Sequence, residues 1–257
     1  MSDKSIGYLR LIEACRQGGC PVCRRVRDES RSHLTALLYE HVTDPDSRRR
    51  LRRSWGLCNW HTWMLPEIET GLFGASILYE DLLGRAIERL AHTSAPPRRW
   101  SLGRLLRRRP AVAGPGTLAG EYARRPPCAL CLGARESERQ SLLTLVGLFD
   151  DGDLQAAYAA SDPLCLAHLV RAIESAEPSS ELAALVERTR AKWQAVRRDV
   201  QSFIAKHDYR NERPFTEREA VSYTRAFEIL AGARGVFGND MAGGRAVGAA
   251  AAPDVGA

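Results

Sequence analysis

The sequence predicts an all-α fold, a helical bundle, on three observations. No run shows sustained period-two alternation of β-branched residues, apolar residues recur at helical spacing in long stretches, and helix-starting residues such as Thr43 or Asp44 stand just before Pro45. With 44% apolar and 26% charged residues the chain has the make-up of an ordinary globular protein, and its 257 residues can bury a substantial core without staples.

The elements follow in order. A first helix is expected over residues 5–17, ended by Gly18-Gly19. Next comes Cys20-Pro21-Val22-Cys23, a helical stretch through His41, a break at Thr43-Asp44-Pro45, a second stretch, and Gly56-Leu57-Cys58-Asn59-Trp60-His61. A long amphipathic helix over residues 75–91 carries Ile77, Leu78, Leu82, Ala86 and Leu90 near helical period. The same order then returns: Cys128-Ala129-Leu130-Cys131, a helical stretch to Phe149, a break at Asp150-Asp151-Gly152, a short helix, and Pro163-Leu164-Cys165-Leu166-Ala167-His168. Cys23 to Cys58 spans 35 positions and Cys131 to Cys165 spans 34, so internal duplication is the simplest account. The helix after the second copy repeats Leu182, Val186, Thr189, Trp193, Val196, Val200, Phe203 and His207 by alternating fours and threes. Such a stripe suits an intramolecular bundle helix, with homodimerisation as the alternative.

These signals place an N-terminal half at residues 1–93 and a C-terminal half at 118–237. Between them, residues 94–117 are rich in Arg, Pro and Gly and read as a linker; residues 239–257 offer little to bury and read as a disordered tail, the tail region starting at 238.

Cys-x-x-Cys sets two thiolates close enough to grip one ion, and Cys-x-x-His does the same with a thiolate and an imidazole, since residues three apart share a helix face. Two such clips complete a tetrahedral site. The spacing suggests that each copy closes on itself as a helical hairpin: Cys20, Cys23, Cys58 and His61 around one ion, and Cys128, Cys131, Cys165 and His168 around another. Pairing between the copies is the alternative. Zn2+, two per chain, is the expected cofactor, and an iron–sulfur cluster the alternative. With four protein ligands each site would be closed to water, which points to a structural role in an interaction or scaffold module, with an iron–sulfur or thiol-based redox sensor as the alternative.

Other features are weaker. Trp55, Trp60 and Trp63 around the first Cys-x-x-His are expected in the core, with shielding of the thiolates as the alternative. Cys15 lies outside the pattern and reads as a small buried residue. Glu29 with His33 and Glu88 with His92 stand four apart, whereas di-iron bundles use Glu-x-x-His at three, so ordinary pairs are expected. No Gly-rich phosphate loop, nucleophile elbow or nucleophile and base pair is present, and no enzymatic activity is expected.

The net charge is +6, and only three of the 37 basic residues are lysines. Arg98, Arg99, Arg104, Arg107, Arg108 and Arg109 cluster around Trp100 with no acid between them, a weak candidate for binding nucleic acid or another anion. No stretch approaches the roughly 18 apolar residues of a spanning helix, and Met1-Ser2-Asp3-Lys4 does not open a secretory signal. A cytoplasmic location is expected, where paired cysteines ligate metal or do redox work more often than they form disulfides. A protein partner of unknown identity is expected.

The order Cys-Pro-x-Cys, helical hairpin, Gly-Leu-Cys-x-x-His, then Cys-x-x-Cys and Leu-Cys-x-x-His resembles an uncharacterised prokaryotic family catalogued only as a domain of unknown function. The likeness covers roughly residues 7–237, and Lys206-His207-Asp208-Tyr209-Arg210 with the short helix through Ala231-Gly232 is similar to that family's closing segment. Here Ala129 stands where the first copy has Pro21. The resemblance implies shared architecture and paired sites, and carries no activity with it.

Overall fold

The structure is a computed structural model in which residues 5–91 and 118–237 are described. It is all-α: twelve α-helices and one 3-10 turn, with no strand among the described residues. In chain order the helices are α1 (Ile6–Arg16), α2 (Pro21–Tyr39), α3 (Pro45–Ser54), α4 (Asn59–Met64), α5 (Leu72–Ala91), α6 (Leu118–Ala123), α7 (Ala129–Gly147), α8 (Gly152–Ala160), α9 (Leu166–Ser175), α10 (Ser180–Lys206), α11 (Glu217–Ala220) and α12 (Ser222–Ala231); the 3-10 turn Leu65–Glu67 follows α4. The linker and tail expectations, Arg98 to Arg109 included, lie outside the described residues, as does His92.

Helix starts follow local chemistry. Asp44 caps α3 by accepting from the Ser47 N–H, with Pro45 in the first turn where its missing N–H costs nothing. Asp151 caps α8 and Ser179 caps α10 in the same way, and Thr216 with Glu219 closes a reciprocal capping box on α11.

The chain sorts into two compact units that are not consecutive halves: one joins Met1–Arg31 to Leu132–Phe237, and the other is Ser32–Cys131. Helices α2 and α7 contribute residues to both. In the first unit α1 packs on α8, and α10 packs on α9, α11 and α12. Its core gathers Tyr8, Leu11, Val22, Leu142, Leu145, Phe149, Leu154, Tyr158, Leu164, Leu182 and Leu185, together with four cysteines. The stripe along α10 therefore works within the chain. Tyr158 is fully buried with its hydroxyl satisfied, 2.6 Å from Thr189 Oγ1 and accepting the Leu164 N–H at 3.2 Å.

In the second unit the core is Leu34, Leu38, Val42, Leu51, Met64, Leu65, Ile68 and Leu78. Helix α5 starts at Leu72, three residues ahead of the expected start, and its first turn presses against α2. A Cβ at Gly74 would stand 2.7 Å from the Leu38 carbonyl oxygen, so glycine is what allows the approach. One expectation fails here. Trp63 is 68% exposed and is not core. Its helix α4 is only six residues long and turns His61 and Met64 inward, which leaves Trp63 facing outward.

Candidate metal centre

All eight predicted donors come together, in two groups of four, from the first turns of four helices. Cys20 precedes α2 and Cys23 lies in its first turn; Cys128 and Cys131 stand in the same relation to α7. Cys165 is the N-cap of α9 and Cys58 the N-cap of α4, with His168 and His61 three residues on. The positive ends of these helices favour thiolates.

The partners are exchanged relative to the hairpin expectation. Cys20 and Cys23 meet Cys165 and His168, while Cys58 and His61 meet Cys128 and Cys131, all donor atoms in each group lying within 4.8 Å of one another. The expected sets Cys20, Cys23, Cys58, His61 and Cys128, Cys131, Cys165, His168 are thus corrected. The physical reason is the division of the chain: each Cys-x-x-Cys packs in the same unit as the Cys-x-x-His of the other stretch.

In the first group His168 Nδ1 lies 3.4 Å from both Cys20 Sγ and Cys23 Sγ and 3.2 Å from Cys165 Sγ, and the sulfurs of Cys23 and Cys165 are 3.9 Å apart. In the second, His61 Nδ1 lies 3.2 Å from Cys58 Sγ, 3.5 Å from Cys131 Sγ and 3.6 Å from Cys128 Sγ. A tetrahedral ion with bonds of about 2.0 to 2.3 Å needs donor separations of roughly 3.5 to 3.8 Å, so both cages fit a single ion. All seven cysteines are free thiols.

The electrostatics of the cages suit a cation. Accepting from Cys20 and Cys23 draws the Cys165 thiol far below its ordinary range, while burial pushes Cys20 up to about 12. Burial opposes a charge on His168, but hydrogen bonding to Cys165, Cys23 and Glu138 outweighs it and lifts the ring to about 11. In the second cage Cys131 and Cys58 pull Cys128 down, and His61 rises to about 9 because its bonds to Cys128 and Cys58 outweigh burial. A bound cation would displace the protons shared among these thiols and rings.

Surrounding groups that sequence reasoning missed complete the first cage. His168 Nε2 lies 2.7 Å from Glu138 Oε1, and Arg171 pairs with the same carboxylate. The Ala233 N–H donates to Cys23 Sγ at 3.4 Å, and the Phe237 ring sits 5.0 Å from that of His168. Gly232, at φ +77°, makes the turn that brings this segment in. Asp162 accepts the Gly19 N–H at 2.8 Å and a bond from Arg225 at 2.9 Å, tying together the segments that lead into Cys20 and Cys165. Around the second cage Trp60 lies 4.5 Å from the His61 ring. Cys15 is buried at 2% exposure, and burial pushes its thiol up to about 11. Glu29 pairs with Arg10 and Arg25.

The family of unknown function DUF6062 matches residues 3–234, nearly the whole described chain. The chain belongs to this family. No curated protein and no solved structure matches this DUF6062 member. Among its described residues no helix is long and apolar enough to cross a membrane.

Proposed function

We propose that the protein is a zinc-stabilised helical scaffold: each cage holds one Zn2+, and the protein acts by presenting its surface to a protein partner, not by catalysis. The observation that carries this reading is the pair of four-donor cages, the donor atoms of each lying within 4.8 Å of one another. Four protein ligands leave no position for water, the arrangement of structural zinc. An iron–sulfur cluster seats its thiolates around irons and bridging sulfides, which asks for donors farther apart than these. Zinc in such sites contributes on the order of 10 kcal/mol toward folding, which suits two units whose ligands come from distant parts of the chain.

Exposed apolar side chains support the scaffold half of the reading. Phe73 is 79% exposed, and Leu72, Leu83, Ile87 and Trp63 are also exposed on the second unit, apolar surface that a partner could cover. A reducing cytoplasm would keep the thiolates available. The shared donor order supports duplication as the origin of the two sites.

The test is metal analysis of chelator-free protein beside its visible spectrum. About two zinc per chain and no colour is expected from the two closed cages. Iron with sulfide and a visible chromophore would replace zinc with the cluster alternative, and a metal-free chain would overturn the reading.

A further inference from the structure

The two cages share one donor set and differ in shielding. In the first, Cys20, Cys23, Cys165 and His168 are all exposed by 3% or less, and the Ala233 N–H and the Phe237 ring cover them further. In the second, His61 and Cys128 are buried, but Cys58 and Cys131 are both partly exposed. Their sulfurs are 3.5 Å apart, with Cys131 donating toward Cys58. Oxidation of cysteine follows thiolate character and access together. Metal ligation supplies the first to all six cysteines; only this pair has the second.

We propose that Cys58 and Cys131 form a peroxide-sensitive pair whose oxidation to a disulfide opens the second cage and releases its ion, while the first cage stays loaded. This rests on the metal reading above. One thiolate attacks an oxygen of hydrogen peroxide, the O–O bond breaks, and a sulfenic acid and hydroxide result. The other attacks that sulfur; the S–S bond forms, the S–O bond breaks, and a second hydroxide leaves. Two electrons pass from the sulfurs to the peroxide, and two protons from solvent turn the hydroxides into water. Cys128 and His61 remain as only two donors, and the divalent ion departs. The disulfide needs the sulfurs to close from 3.5 Å to about 2.05 Å, a movement the vacated centre permits. The switch is local to the unit Ser32–Cys131, because all four donors lie within it.

The experiment uses the full metal-loaded chain, titrated with hydrogen peroxide while a chromophoric chelator reports released ion and mass spectrometry maps disulfides. The first equivalent should leave at least about ten-fold faster than the second, a barrier difference of roughly 1.4 kcal/mol. A Cys58 to Cys131 cross-link should appear with it, reversed by thiol reductant and added zinc. Release of both ions at one rate, or a first disulfide involving Cys20, Cys23 or Cys165, overturns the proposal. Cys58→Asp keeps a ligand and removes the pair, so its second ion should lose the fast release; fast release that persists also overturns the proposal. Should that variant not hold its ion, the disulfide map of the unsubstituted chain still decides. A chain isolated without metal is recognised before peroxide is added and counts against the metal reading itself.

Discussion

Nε2 of His168 lies 2.7 Å from Oε1 of Glu138, and the two residues are 0% and 8% exposed. Nδ1 of the same ring faces three sulfurs, so the imidazole sits between a metal-binding cage and a carboxylate. An outer carboxylate of this kind fixes the ring and raises its basicity toward metal. Replacing Glu138 with Gln is expected to weaken the first site by about 10- to 100-fold and leave the second unchanged. Competition against a chromophoric chelator, read as two separate affinities, checks it.

The exchanged pairing has its own signature in double variants. Cys20→Ser with Cys165→Ser damages one cage only, and the protein should keep about one ion per chain. Cys20→Ser with Cys58→Ser damages both and should leave close to none. Pairing within each stretch would produce the reverse, so metal content of the two purified proteins decides between the arrangements.

Tyr158 links the core to a ligand-bearing segment, since its hydroxyl accepts the N–H of Leu164, the residue before Cys165, and bonds to Thr189. Tyr158→Phe leaves that N–H buried without its acceptor, while the Thr189 hydroxyl still donates to the Leu185 carbonyl. A loss of about 1–3 kcal/mol is expected, measured by denaturant unfolding at fixed free zinc. An unchanged midpoint would mean that the hydroxyl contributes nothing net.

Glu219 accepts from Lys206 Nζ at 2.6 Å and from Ser202 Oγ at 2.5 Å and closes the α11 capping box, and these contacts hold its carboxyl down at about 2. A depressed carboxyl stabilises the fold fully above its unfolded value of about 4.3 and loses that contribution as pH falls toward the folded value. The stability gap between the protein and Glu219→Gln should therefore be largest at neutral pH and shrink from about pH 4 down to about pH 2. Paired denaturation curves across that range test it; acid release of metal affects both proteins alike and drops out of the difference.

Much of this was legible in the sequence. All eight donors could be read because a Cys-x-x-Cys or Cys-x-x-His clip is a local object, fixed by three residues of chain. Their pairing could not, because the clips say nothing about which partner lies within reach, and loop closure penalises a longer connection only logarithmically. Cys23 is 35 positions from Cys58 and 142 from Cys165, and core packing chose the longer link. Glu138 left a fainter signal: it lies on the buried stripe of α7 with Ala134, Ser141, Leu142 and Leu145, where a charge requires a partner. Trp63 was misplaced because the break of α4 into a 3-10 turn at Leu65 ends the helix before its apolar face is complete.

The exchange also nests one site inside the other along the chain: residues 58 to 131 supply the inner cage, and residues 20 and 23 wait for 165 and 168. During synthesis the two halves of the outer cage are separated by the 142 positions from Cys23 to Cys165, which at 5–20 residues per second is about 7–30 s. The inner cage can fill first on the ribosome. For that interval Cys20 and Cys23 emerge as an unmatched dithiol, so metal supply and a reducing environment matter most while the chain is still being made.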